Sequence, residues 1–157
     1  MGITVELVGD KELVARLEAM PGHMRDGLAR AVARLGLELQ KKVQDEKLSG
    51  QVLHQRTGAL ARSIDTEVSQ TESTVSASVG TGVRYARFHE YGVAHPWLIQ
   101  ARTARALRFE VGGRVIFRRY VRHPPLPERS FLRSALKDMQ PKIEEGLRAA
   151  VAEAIRK

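Results

Sequence analysis

Thr74-Val75-Ser76-Ala77-Ser78-Val79-Gly80-Thr81-Gly82 is the stretch from which the fold can be read. Val75, Ala77 and Val79 alternate with serines, the period-two pattern of a strand with one covered face, and Gly80-Thr81-Gly82 ends it. Upstream, Leu60, Ile64 and Val68 lead through a second strand, and Gln70-Thr71-Glu72-Ser73 supplies the turn between the two. The pair is therefore antiparallel. Its covered face needs a partner layer, and residues 23–46 provide one. Leu28, Val32, Leu35, Leu39 and Val43 recur at steps of three and four, one apolar stripe on a helix of about six turns. Arg25, Arg30, Arg34, Lys41 and Lys42 fall largely outside that stripe.

Further out, Ile3, Val5 and Leu7 alternate with Thr4 and Glu6 in a short N-terminal strand. Gly9-Asp10 reads as a turn whose aspartate caps a helix over residues 11–20, and Pro21-Gly22 breaks it. Residues 47–57 have no period and read as a mobile loop. Residues 85–91 read as a short helix closed by Gly92, with Tyr85, Phe88 and Tyr91 placed to pin it to the sheet. Residues 106–122 form a basic hairpin. A two-residue turn at Gly112-Gly113 would set Leu107 beside Arg118 and mix the two faces. A three-residue loop pairs Phe109 with Val115 and Leu107 with Phe117, giving one apolar and one charged face, so the longer loop is expected. His123-Pro124-Pro125-Leu126-Pro127 is an extended connector. C-terminal helices follow over residues 128–156, with Ser130 as N-cap, Phe131 as anchor and a kink or restart at Pro141. Ile143, Leu147, Val151 and Ile155 are their buried positions. The fold class is α+β in a single domain over residues 1–157. An antiparallel sheet of two hairpins plus the N-terminal strand packs against a long N-terminal helix and the C-terminal helices.

The residues offer little for catalysis. There is no cysteine, hence no thiolate ligand or thiol nucleophile. The 5 histidines are scattered. His89-Glu90 begins like a zinc-protease helix, but the second ligand position holds Val93. Gly80-Thr81-Gly82 follows a strand and precedes a helix, yet the third glycine of a dinucleotide fingerprint would fall at Tyr85. Glu144-Glu145 is surface charge on a helix face. No catalytic, cofactor-binding or metal-ligating residue is nominated, and no enzyme is expected. No apolar run approaches the ~20 residues of a membrane span, and the N-terminus lacks the basic and apolar regions of a secretory leader.

A formal charge of +8 and an isoelectric point near 10.3 favour acidic surfaces or nucleic acid. The charge concentrates at Arg102, Arg105, Arg108, Arg118, Arg119 and Arg122. These could track phosphates. Stacking aromatics are few, however, because Phe109 and Phe117 are expected in the core face. Bidentate contact with acidic patches of neighbouring subunits is the preferred reading. A basic nucleic-acid-binding module is the alternative.

Four ordered phrases carry a family resemblance: Arg56-Thr57-Gly58-Ala59-Leu60 with Ser63-Ile64; Val79-Gly80-Thr81 with Tyr85-Ala86-Arg87-Phe88-His89-Glu90-Tyr91-Gly92; Ala106-Leu107-Arg108-Phe109; and Arg129-Ser130-Phe131-Leu132 with Ala135-Leu136. Together they resemble the tail-completion and head–tail connector (minor tail) proteins of long-tailed bacteriophages. Ser130 stands where that family commonly has proline. The resemblance implies a non-enzymatic virion component at the head–tail junction or tail end, made in the bacterial host cytoplasm. It implies ring assembly with copies of itself, beside neighbouring connector or tail-tube proteins, with DNA contact possible and no membrane. Rings need heterologous interfaces. Residues 47–57, the basic hairpin and the N-terminal strand are the segments expected to make them.

Overall fold

The helix stripe and the covered strand face meet as their spacing requires. The computed structural model describes residues 3–6, 22–54, 57–71 and 74–156. Helix α1 (Gly22–Lys42) buries Leu28, Val32, Leu35 and Leu39, and Val43 just beyond its end. Strands β1 (Ile3–Glu6), β2 (Ile64–Gln70) and β3 (Val75–Thr81) form an antiparallel sheet in the order β1-β3-β2. The turn after β2 is where expected, although Glu72 and Ser73 lie outside the described residues, as do the Asp10 cap and the helix expected over residues 11–20. Ile64, Ala77 and Val79 are buried between sheet and helix.

Close approach at this contact depends on Gly36. A Cβ there would lie 2.9 Å from both the Ala77 Cβ and the Thr66 methyl. Beside it, Gln40 donates to the Ile64 carbonyl at 2.9 Å and accepts from the Thr66 hydroxyl at 2.7 Å, while Gln44 donates to the Ala61 carbonyl at 3.0 Å. The buried start of β2 is thus satisfied by side chains from the helix.

Residues 43–51 depart from the loop expected over residues 47–57. The chain leaves α1 directly into a π-helical segment, Val43–Gln51, in which Lys47 and Leu48 are buried. Leu48 joins the core, and the Lys47 ammonium reaches Asp138 at 2.6 Å. Widening the turn brings these two side chains inward without an apolar period that the sequence could show. A short helix α2 (Ala59–Arg62) precedes β2, so the strand begins at Ile64 rather than at Leu60.

Helix α3 (Ala86–Tyr91) follows β3. Strand β4 (Trp97–Gln100) pairs with β7 (Tyr120–His123), and between them β5 (Leu107–Val111) pairs with β6 (Arg114–Arg118). The hairpin register is the one expected not to form. Phe109 faces Ile116 and Leu107 faces Arg118, across a two-residue turn. Gly112 (φ 58°) and Gly113 (φ 76°) both take positive φ, which gives the type I′ turn that matches strand twist. The pattern argument failed because this hairpin is not laid on the core. Phe117 is 58% exposed, and Val111 and Val115 are exposed too, so turn chemistry decides the register.

Helix α4 (Phe131–Arg156) runs without interruption through Pro141, where a kink or restart was expected. Pro141 is exposed, so the carbonyl it frees can meet water, while Met139 and Ile143 on either side are buried. A Cβ at Gly146 would lie 3.2 Å from the Leu35 side chain of α1. Leu147 and Val151 are half-buried, and the Ile155 side chain lies outside the described residues.

Candidate functional site

Three of the four motif phrases converge. In the first, Arg56 lies outside the described residues; the Thr57 hydroxyl accepts from the Ala59 amide, and Gly58 turns the chain at φ 68°. Leu60 is half-buried against the core. Ser63 and Thr81 share a hydroxyl hydrogen bond at 2.7 Å, and Thr81 also accepts from the Val83 amide at 3.1 Å. That joins the first phrase to the second at Gly80-Thr81.

The second phrase joins the fourth through Glu90, which has no exposed surface. Helix α4 carries no acidic residue in its first turn, so its free amides lack a local carboxylate. Glu90 supplies one from α3. Its Oε2 accepts from the Leu132 amide at 2.9 Å, and its Oε1 accepts from the Arg133 amide at 3.0 Å and from Arg133 Nε at 3.1 Å. The Arg133 guanidinium also donates to the Glu90 carbonyl and to Glu128 at 2.8 Å. The hydrogen bond that Arg133 donates to Glu90 outweighs some desolvation and, with the nearby Glu128, Glu90 and Tyr91, raises Arg133 above its already high value. The capping expected of Ser130 falls to Glu90, and Ser130 instead sits at φ 44°. Backbone bonds complete the join: Arg129 N to His89 O, Ser130 N to Glu90 O, and paired Val93–Leu126 bonds. Gly92 (φ 69°) permits this approach, because a Cβ there would sit 2.7 Å from the Glu128 nitrogen. Phe131 and Leu132 enter the core just past the cap.

Tyr85, Phe88 and Tyr91 do not pin α3 to the sheet; they are 44%, 37% and 56% exposed. Ala86 and Glu90 are the buried positions of this short helix. Tyr91 lies under the Arg133 guanidinium at 4.8 Å, and Phe88 stacks toward Trp97, which stacks on His123 at 4.1 Å. These aromatics tie α3 to the β4–β7 ladder. Reading the sequence missed that ladder, since its two short strands are separated by a whole hairpin. Glu128 and Arg133 flank the fourth phrase with no role legible in the sequence; a helix start with no acid of its own was the available signal.

A cavity of about 220 Å³ opens among Leu48, Leu53, His54, Gly58, Tyr85 and His89. Burial, then the nearby Arg129 charge, pushes the His89 imidazole below its usual range and so favours its neutral form. No group of three or more His, Asp or Glu suited to a metal occurs among the described residues. The buried Glu90 carboxylate is fully engaged by amides and a guanidinium, which makes it a helix cap.

The arginines are different. Arg102, Arg105, Arg108, Arg118, Arg119 and Arg122 are all exposed, and none forms an ion pair among the described residues. They stand among exposed Leu98, Val111, Val115, Phe117 and Tyr120, while Phe109 is half-buried. A closed core bearing an arm of bare cations and apolar side chains fits a protein whose surface does its work.

The sequence model of the phage virion morphogenesis family matches residues 26–153, and the chain belongs to that family. It is thereby a phage virion protein with a structural or assembly role. No curated protein and no solved structure matches the chain. Among the described residues no helix is long and apolar enough to cross a membrane.

Proposed function

We propose that this protein completes the phage tail or joins it to the head, as a non-enzymatic subunit of a ring in the tail or neck. Its partners are copies of itself and neighbouring connector or tail-tube proteins, met in the host cytoplasm where the particle is built. The observation that carries this reading is the arm of residues 97–123. Its two-stranded ladders leave most of both faces open, and isolated two-stranded sheets are marginal in water. Exposed apolar side chains mixed with unpaired arginines are the composition of a contact surface. Family membership supplies the setting.

Electron microscopy and mass measurement of the full chain, alone and with the products of adjacent genes, test the proposal. Closed rings are expected; a chain that joins no oligomer in any mixture contradicts it. The bare arginines also suit nucleic acid, so a salt titration with duplex DNA separates the readings. The ring reading expects micromolar or weaker binding that vanishes at physiological salt. Sub-micromolar affinity with a steep negative salt slope would favour a nucleic-acid module.

A further inference from the structure

Two unpaired strand edges of opposite charge are present on one chain. Among the described residues, strand β2 is the outer strand of its sheet and pairs only with β3. Asp65, Glu67, Val68 and Ser69 along it are exposed, and neither carboxylate has an ion-pair partner among the described residues. Among the described residues, strand β6 pairs only with β5; it carries Arg114, Val115, Ile116, Phe117 and Arg118. Exposed edges of this kind template the addition of another strand.

We infer that β6 of one copy adds antiparallel to the β2 edge of the next, and that this contact builds the ring. The inference rests on the ring reading above and names its interface. Register can be deduced from the side chains. Val68 is the one large apolar side chain exposed on β2, at 44%, and Val115 of β6 is matched at 45%. Setting Val115 opposite Val68 in an antiparallel ladder places Phe117 opposite Thr66, Arg118 opposite Asp65, Arg114 opposite Ser69 and Ile116 opposite Glu67. Glu67 then lies diagonal to both arginines, within reach of long side chains. A shift of one residue either way parts Val115 from Val68 and sets the larger Phe117 against Asp65 or Glu67. A second copy explains the apolar matches as well as the charge, whereas a phosphate backbone would use the charge alone. The edges differ, so the contact is heterologous and propagates from copy to copy until it closes.

The natural absence of cysteine makes a direct test possible. Directly opposite strand residues fall within the Cα separations a disulfide spans. Mild oxidation of an equimolar mixture of Val68→Cys and Val115→Cys chains is expected to give mixed dimers. The chain carrying both substitutions is expected to give a ladder up to the closed ring. Asp65→Arg and Arg118→Asp should each weaken self-association at least tenfold, and the chain with both should recover it. Oligomers of the doubly substituted chain that form no disulfide between copies, or self-association left unchanged by Asp65→Arg, overturn this interface and leave the ring reading standing. A wild-type chain that never self-associates removes the ring reading, and this inference with it.

Discussion

Glu90 sits fully buried with both oxygens occupied by the first turn of α4 and by Arg133. Glutamine in its place keeps one acceptor and loses the charge, so Glu90→Gln should lower stability by roughly 1–3 kcal/mol, read by denaturant unfolding. A loss under about 0.5 kcal/mol would mean that water caps the helix equally well. Asp138 gives a pH signature. The hydrogen bond from Lys47 holds its carboxyl below the usual range, outweighing some desolvation. Its contribution is therefore complete above the ordinary carboxylate value and fades as pH falls through that value toward the lowered folded one. Asp138→Asn should lower stability at pH 7 and flatten that part of the acid limb; an unchanged acid limb contradicts the pair.

At the scale of elements, the turn between β5 and β6 is the sharpest test. Both glycines sit at positive φ, where a β-branched residue is badly placed. The wild type should give cross-strand nuclear Overhauser contacts between Phe109 and Ile116, and Gly113→Val should abolish them; contacts between Phe109 and Val115 in the wild type would restore the three-residue loop. Pro141→Ala should raise stability by about 1–3 kcal/mol, since the site is exposed and interior to α4. No gain on thermal unfolding would point to a real kink there. These elements also mark what the sequence could disclose. Steps of three and four located α1 and period-two alternation located β3, because each lays one face on the core. The π-helical turn, the β4–β7 ladder and the Glu90 cap were invisible, since each joins residues distant in sequence or breaks a period. The hairpin register misled for a related reason: burial patterns govern register only where a face is buried.

For the molecule as a whole, the motif phrases serve the fold, and the arm is left over. Glu90, Gly92, Thr81 and Phe131 hold α3, α4 and the sheet together; the arm arginines form no ion pair among the described residues. In an assembly protein this division is expected, because the core fixes the shape and the arm spends it on neighbours. Quantitative mass spectrometry of purified phage particles tests that account most directly. It should find this chain in every preparation at a fixed ratio to the major tail protein, and particles made with the arm arginines replaced by glutamate should lack it. Particles that are complete and infectious without the chain would contradict the account.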